Sequence, residues 1–225
     1  KGSKNTAVGH SALEAQNFTT STMSYNTAIG SDSGKAITTG TENTLIGSSA
    51  GDSITTGSYN TAVGKDSSGK VITGSHNVSV GRMALRETTT GSNNTALGRS
   101  ALEANTTASN NTSVGYQAMN TNNANANTAV GYQALFSNTT GNVHVAVGYG
   151  SLRSNTTGAQ NTAVGFESLY FNTTGAFNVA MGREALYSNT TASNNTAVGY
   201  QAGYSNNTGV NNTIIGNQAG YLNTT

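Results

Sequence analysis

The side chains that could carry out catalysis or bind a metal are few in this sequence and lie far apart along it. Nine acidic residues and three histidines, His10, His76 and His144, are scattered over the chain, and cysteine is absent. No pair of carboxylates recurs, no Ser-His-Asp order stands out, and no thiol is present to act as a nucleophile. We therefore predict that the chain is not an enzyme and requires no cofactor.

Three aspartates, Asp32, Asp52 and Asp66, each stand close to serine and glycine, which hints at a cation site. Their spacing lacks the ligand pattern of a calcium loop. The pattern favours solvated corners over a cation site at these positions, and we predict no bound metal.

Aromatic residues recur at two fixed places in the second half of the chain. Stacked, exposed aromatic rows can bind sugar rings through their flat faces, can stack on one another, or can pack against a neighbouring chain, since interfaces favour tyrosine. The pattern favours stacking or chain contacts, with glycan binding as the alternative. The two rows are Tyr116, Tyr132, Tyr149, Phe166 and Tyr200, and Phe136, Tyr170, Tyr187, Tyr204 and Tyr221.

These rows arise because the whole chain repeats one unit, seen most clearly at 127–135 (NTAVGYQAL). The unit occurs thirteen times, and its glycine, here called the repeat glycine, is spaced by 21, then five times by 17, once by 16, and five more times by 17 residues. A fixed period over a whole chain is typical of a solenoid or another repeat architecture. The repeat glycines are Gly9, Gly30, Gly47, Gly64, Gly81, Gly98, Gly115, Gly131, Gly148, Gly165, Gly182, Gly199 and Gly216.

An asparagine stands four residues before the repeat glycine in twelve of the thirteen copies, and His144 replaces it in the other. Identical residues one coil apart lie above one another in a solenoid, so we expect these amides to form a hydrogen-bonded ladder along it. The ladder positions are Asn5, Asn26, Asn43, Asn60, Asn77, Asn94, Asn111, Asn127, Asn161, Asn178, Asn195 and Asn212.

Between this asparagine and the glycine the residues alternate, as in Thr128-Ala129-Val130, which is the period of a β-strand. We expect the threonine and the aliphatic residue to face the interior and the alanine to face outward. An outward stripe of alanine is regular and apolar, and such stripes mark interfaces. The stripe comprises Ala7, Ala28, Ala62, Ala96, Ala129, Ala146, Ala163, Ala180 and Ala197.

A second glycine position ten residues after the first, as in Gly141, gives two corners and predicts two short strands in each 17-residue coil. The predicted fold is therefore all-β: a parallel β-solenoid, or β-roll, of about thirteen 17-residue coils, assembled as a parallel homotrimer around the alanine stripe. Residues 1–225 form a single repeat region, interpreted as a segment of a longer fibre. The first coil, residues 1–25, carries a short insertion around 16–22, residues 26–225 form regular coils, and one residue is deleted near 122–127.

The interior can be tested for consistency from the sequence alone. Most copies carry leucine or methionine four residues after the repeat glycine, whereas copies two to four carry Gly34, Gly51 and Ser68 there. Those three copies place Ile37, Ile54 and Val71 three residues later, so one apolar group fills each level from either position. The last two copies, with Gly203 and Gly220, break this compensation.

Charge and hydropathy exclude two classes of partner. The formal net charge is +1 and only 8% of residues are charged, so the chain has no overall basic field for nucleic acid. No apolar run approaches the roughly 20 residues of a membrane helix, so we predict no membrane insertion. Self-association is the predicted partnership, with a cell-surface glycan as the alternative ligand.

The repeat resembles two related kinds of surface protein. The Asn-Thr-Ala-Val-Gly unit is similar to the Ser-Val-Ala-Ile-Gly unit in the heads of trimeric autotransporter adhesins, which are left-handed parallel β-rolls packed as trimers. The longer unit at 127–141 (NTAVGYQALFSNTTG) resembles repeat shafts of phage and bacterial tail-fibre proteins. The resemblance implies an extracellular structural fibre, on a virion tail or a cell surface, that extends and displays a receptor-binding end.

Two alternatives to a shaft remain open. The segment could be the body of a self-assembling extracellular filament, or a solenoid whose threonine rows bind ice or a glycan; such rows occur at Thr139, Thr156, Thr173 and Thr190. Asn-x-Thr sequons recur at Asn105, Asn138, Asn155, Asn172 and Asn189, so N-glycosylation of these asparagines also remains open.

Overall fold

The computed structural model describes residues 2–18 and 22–224 and shows an all-β chain wound as a parallel β-solenoid. It has about twelve turns of about 17 residues each, so the predicted solenoid is confirmed. Nowhere in residues 2–18 or 22–224 does a helix run long and apolar enough to traverse a bilayer.

The chain divides into two compact units, Lys1–Asn111 and Thr112–Thr225, which share the same kind of coil. In the first unit, β1 (Gly2–Ser3) pairs in parallel with β3 (Thr22–Met23). The other strands of that unit stack in chain order: β2 (Thr6–Val8), β4 (Thr27–Ile29), β5 (Thr44–Ile46), β6 (Thr61–Val63), β7 (Val78–Val80) and β8 (Thr95–Leu97).

The second unit stacks seven strands in chain order, each parallel to the next. Their register keeps equivalent residues level, so that Ala129 pairs with Ala146 and Val130 with Val147. The strands are β9 (Thr112–Val114), β10 (Thr128–Val130), β11 (Val145–Val147), β12 (Thr162–Val164), β13 (Val179–Met181), β14 (Thr196–Val198) and β15 (Thr213–Ile215).

The two irregular coils lie where the spacing of the glycines places them. The insertion after the first copy contains β3, while its residues 19–21 lie outside the described residues. The coil of 16 residues is shortened at a corner: the side chain of Asn122 donates to the carbonyl of Ala124, two residues on, where Asn138 reaches Gly141, three residues on.

One side of each coil is built from turns, and the second strand predicted there is wrong. Gln133 and Leu135 have φ of 50° and 52°, and the equivalent residues of other coils share this left-handed conformation. A β-strand cannot pass through such residues. Neighbouring coils are nevertheless joined on this side, since the Leu135 N–H donates to the carbonyl of Ser151 at 2.9 Å.

The repeat glycine ends each strand in a conformation that only glycine adopts readily. Gly131 has φ of 140°, and a Cβ added there would lie 2.7 Å from the carbonyl carbon of Gly148 in the next coil. The column is therefore glycine for two reasons, backbone conformation and the close approach of stacked backbones.

The alanines face the interior, so the predicted orientation of the strands is wrong. Eight of the nine alanines of the predicted outer stripe are fully buried, and only Ala7, in the first coil, is exposed. The aliphatic residue next to each alanine points outward instead; Val130 is 36% exposed and Met181 44%. The interior is too narrow for the larger residue, as its packing shows.

Each level of the interior holds one large side chain. A Cβ added to Gly34 would lie 2.8 Å from Leu45 Cδ1 and 3.1 Å from Ile37 Cδ1, so the predicted compensation between glycine and isoleucine is confirmed. Leu45 and Ile214 stand where most strands carry alanine. Ile214 also fills the space beside Gly203 and Gly220, since a Cβ on either would approach it within 3.0 to 3.4 Å. The last two copies therefore follow the same rule from a third position.

Candidate functional site

The candidate metal and catalytic side chains remain apart in the fold. Asp32 accepts a hydrogen bond from Lys35 at 3.2 Å, which lowers the pKa of its carboxyl group. Asp52 and Asp66 line an open cleft of about 340 Å³ with Lys70 and Arg86. Burial, and then the charge of Asp66, raise the pKa of Asp52. Within residues 2–18 and 22–224, no three histidine or acidic side chains come close enough to hold a metal ion.

The three histidines lie in unrelated surroundings. His10 is exposed. His76 stacks on Tyr59 with ring centroids 4.8 Å apart. His144 is buried within the asparagine ladder. Because no carboxyl or hydroxyl group hydrogen-bonds to a histidine ring in the described part of the chain, this arrangement offers no general-base site.

The asparagine ladder closes each coil and joins it to its neighbours. Asn43 illustrates the pattern: its N–H and its Nδ2 both donate to Oδ1 of Asn26, at 2.9 and 3.1 Å, and its Nδ2 also donates to the carbonyl of Gly57 at 2.9 Å. One buried amide thus ties the start of a strand to the preceding coil and to the corner of its own coil. Buried amides satisfied in this way stabilise the stack without an apolar side chain.

A second buried ladder runs beside the first in the Thr112–Thr225 unit. Asn155 Nδ2 donates to Asn138 Oδ1, and Asn172 Nδ2 to Asn155 Oδ1, both at 2.8 Å. Both ladders meet at the same corner carbonyls, since Asn161 and Asn172 each donate to Gly175 O, at 2.8 and 2.9 Å. The sequon asparagines form this ladder and its start in the other unit: Asn105, Asn138, Asn155, Asn172 and Asn189 are fully buried. In the folded chain their side chains have no room for a glycan.

His144 takes over the ladder role of an asparagine. Its N–H donates to Asn127 Oδ1 at 2.9 Å, its Nδ1 accepts the N–H of Asn161 at 3.2 Å, and its Nε2 lies 2.7 Å from the carbonyl of Gly158. These contacts require the neutral ring with its proton on Nε2. Burial lowers the pKa of His144 to about 4, which keeps the ring neutral.

The first aromatic column lies one residue after the repeat glycine and forms a continuous stack. The ring centroids of Tyr116 and Tyr132, Tyr132 and Tyr149, and Tyr149 and Phe166 are 5.4, 4.9 and 5.2 Å apart, with nearly parallel planes. Arg183 fills the next level, with its guanidinium carbon 5.3 Å from the Phe166 centroid and 5.9 Å from that of Tyr200. Cation–π contacts therefore carry the column across the level that lacks a ring.

The second aromatic column, five residues after the repeat glycine, is built in the same way. Arg153 lies 5.5 Å from the Phe136 centroid and 5.6 Å from that of Tyr170. From there Tyr170, Tyr187, Tyr204 and Tyr221 stack with successive centroids 5.5, 5.0 and 4.9 Å apart. Neither arginine was among the predicted column residues, although each occupies the same repeat position as the rings and could have been found there.

The stacking decides what the two columns offer a ligand. A ring between two neighbours about 5 Å away has both faces covered, so only its edge and hydroxyl group reach solvent. A row of glutamine and glutamate lies between the columns, and Gln133 Nε2 donates to Gln117 Oε1 at 2.9 Å. Arg153 donates to Gln133 Oε1 at 3.0 Å, which joins this row to the second column.

The outer face of the strands presents a threonine or valine and an aliphatic residue in every coil. Val145 is 40% exposed, Val130 36% and Met181 44%. No hydrogen bond within the described part of the protein uses the hydroxyl groups of the strand threonines Thr128 and Thr162. The face is therefore a regular apolar strip with free hydroxyl groups, of the kind that marks an interface.

The corner threonines differ from those of the strands, because their hydroxyl groups are already used. Thr139, Thr156 and Thr173 each donate to the carbonyl of the residue one coil further on, at 2.9 to 3.0 Å. Thr190 donates to Asn207. The corner row thus contributes to the stacking of the coils and retains little donor capacity for a ligand.

No family model matches the sequence, and comparisons with curated proteins and with solved structures found no match either. The fold and the side-chain columns alone define the class of the protein, a parallel β-solenoid.

Proposed function

We propose that this chain is a structural shaft of an extracellular fibre, in which three parallel copies pack laterally and display a receptor-binding end. The observation that supports this most is the outer strand face, where every coil offers the same pair of side chains in register. A contact made at one level is then repeated at the next, so that weak contacts add along the shaft.

The lateral interface of this proposal uses the aliphatic column that contains Val130, because the alanines are buried. Seven strands about 4.8 Å apart give the Thr112–Thr225 unit a strip about 30 Å long. Exposed valine, isoleucine and methionine in an unbroken row favour burial against another copy. The regular ladders support a structural role, since they repeat one contact at each level instead of forming a unique pocket.

Sedimentation analysis of the whole chain tests the trimer. We expect a trimer, and we expect the combined change Val130→Glu, Val147→Glu and Val164→Glu to give monomers, because three carboxylates would be buried in the interface. The matched control is Thr140→Glu, Thr157→Glu and Thr174→Glu, which adds the same charge to the exposed corner of the same levels and should leave the trimer intact. A monomeric unmodified chain would overturn the proposal of a trimer.

Electron microscopy separates a shaft from the body of a filament. Discrete rods of one length support the shaft, whereas continuous fibres support the self-assembling filament.

Ice binding remains the second candidate, favoured by the free hydroxyl groups of Thr128 and Thr162 on the strand face. An ice-recrystallisation assay at micromolar protein distinguishes it. Inhibition that is lost in Thr128→Tyr with Thr162→Tyr, and kept in Thr139→Tyr with Thr156→Tyr, would favour this candidate over the shaft.

A further inference from the structure

Three cations occupy one repeat position in successive coils of the Lys1–Asn111 unit. Lys65, Arg82 and Arg99 each follow a repeat glycine directly. Their backbones are stacked: the carbonyl of Lys65 accepts the N–H of Met83 at 3.0 Å, and that of Arg82 accepts the N–H of Ser100 at 3.0 Å. The three side chains are exposed and leave the coils at levels about 4.8 Å apart.

Lys65 and Arg82 differ from the other cations of this region in lacking an acidic partner. Among the ion pairs of the described residues, none includes either of them, whereas Lys35 pairs with Asp32, and Lys70 and Arg86 with Glu87. The nearest aspartate in sequence, Asp66, lines the cleft that contains Lys70 and Arg86. The column therefore presents positive charge that the protein does not neutralise.

Stacking like charges at neighbouring levels is unfavourable, because their repulsion adds to the free energy of the folded chain. A linear anion that runs along the column, with one negative charge for each coil, would remove this repulsion. The geometry thus favours an extended ligand over a single small ion, which could contact only one or two levels.

We propose that Lys65, Arg82 and Arg99 bind a linear acidic polysaccharide that carries one carboxylate on each sugar. In an extended chain of this kind the carboxylates recur at about the spacing of one coil. Duplex DNA is a poor match, since it carries one charge per about 1.7 Å of its axis, far denser than one cation per about 4.8 Å. The low net charge of +1 also provides no broad field for nucleic acid.

Titration of the whole chain with polygalacturonate tests this site, with neutral dextran and a single-stranded oligonucleotide as comparisons. We expect binding to polygalacturonate alone, weakened when ionic strength rises from about 0.01 M to about 0.15 M, because the Debye length falls from about 30 Å to about 8 Å. Lys65→Gln with Arg82→Gln should weaken binding about fivefold or more. The matched control, Lys35→Gln with Lys70→Gln, removes two paired charges and should change it less than about twofold.

Thermal unfolding of both variants verifies that they fold. Charge reversal in Lys65→Glu with Arg82→Glu should abolish the binding altogether. The proposal is overturned if the unmodified chain does not bind polygalacturonate, if it prefers the oligonucleotide, or if the two glutamine variants lose affinity equally. None of these results depends on whether the chain forms a trimer, so a failure here leaves the proposed shaft untouched.

Discussion

The N–H of Asn161 donates to Nδ1 of His144 at 3.2 Å, so protonation of that nitrogen would turn an acceptor into a second donor facing a donor. The pKa of His144 is lowered to about 4 by burial, whereas an unfolded histidine titrates near 6.5. The stability that this neutral ring contributes is fully present above about pH 6.5 and is lost as the pH falls toward 4.

We therefore predict that acidification from pH 7 to pH 4 costs about 3 kcal/mol of unfolding free energy through His144. Denaturant titration at several pH values measures this loss. His144→Asn restores the usual ladder residue, and the difference between the two proteins isolates the histidine from all carboxylates. Equal pH dependence in both would show that His144 does not control it.

Gly131→Ala should cost about 3 kcal/mol or more, since it combines an unfavourable backbone conformation with a contact against the carbonyl group of Gly148. Gly216 is the matched control: its φ is 129°, but a Cβ there would meet only Ala219 Cβ, at 3.6 Å. Gly216→Ala should therefore cost only about 1–2 kcal/mol. If thermal unfolding shows the two alanines to be equivalent, the close stacking of the backbones is not what requires glycine.

Leu45→Ala should destabilise the chain by about 3–5 kcal/mol, because Leu45 is flanked by Gly34 and Gly51 and no side chain nearby can fill the cavity. Ile72 is 42% exposed and serves as the control. Ile72→Ala should cost less than about 1 kcal/mol. Chemical denaturation measures both values, and a small loss in Leu45→Ala would contradict the rule of one large side chain per level.

Val143→Asn should stabilise the chain by about 1 kcal/mol. Val143 is β-branched yet has φ of 58°, and it is 53% exposed, so little packing is lost on replacement. Asparagine tolerates this conformation and already stands at the equivalent position as Asn93 and Asn194. Val145→Asn, on the neighbouring strand, should be destabilising, since a β-branched residue suits a strand. A loss of melting temperature in Val143→Asn would refute the proposed strain.

The period and the identity of the ladder residues could be derived from the sequence, because a fixed spacing of 17 residues along a whole chain is characteristic of stacked coils. The orientation of the strands could not. Val130 is more apolar than Ala129, and the usual rule buries the more apolar residue; here the narrow interior selects the smaller one. Only the pairing of Leu45 with Gly34 and Gly51 carries the size limit, and it becomes readable once those columns are known to face each other.

The turn side of the coil was equally inaccessible to sequence patterns. Leucine at the position of Leu135 suggests a strand, and nothing in its type signals φ of 52°. The same holds for the aromatic columns, whose spacing was correctly seen but whose members were chosen by residue type. Arg153 and Arg183 were missed for this reason, although a guanidinium group is flat and stacks on a ring as another ring does.

The winding of the chain also determines how it would respond to a pull. A coil advances the axis by about 4.8 Å but contains about 17 residues, which span roughly 55–60 Å when fully extended. Tension along the axis would therefore peel coils one after another, and each release would lengthen the chain about twelvefold over the distance that coil had occupied. A shaft built in this way would yield in steps and absorb work, with its buried amide ladders setting the force at which each step occurs.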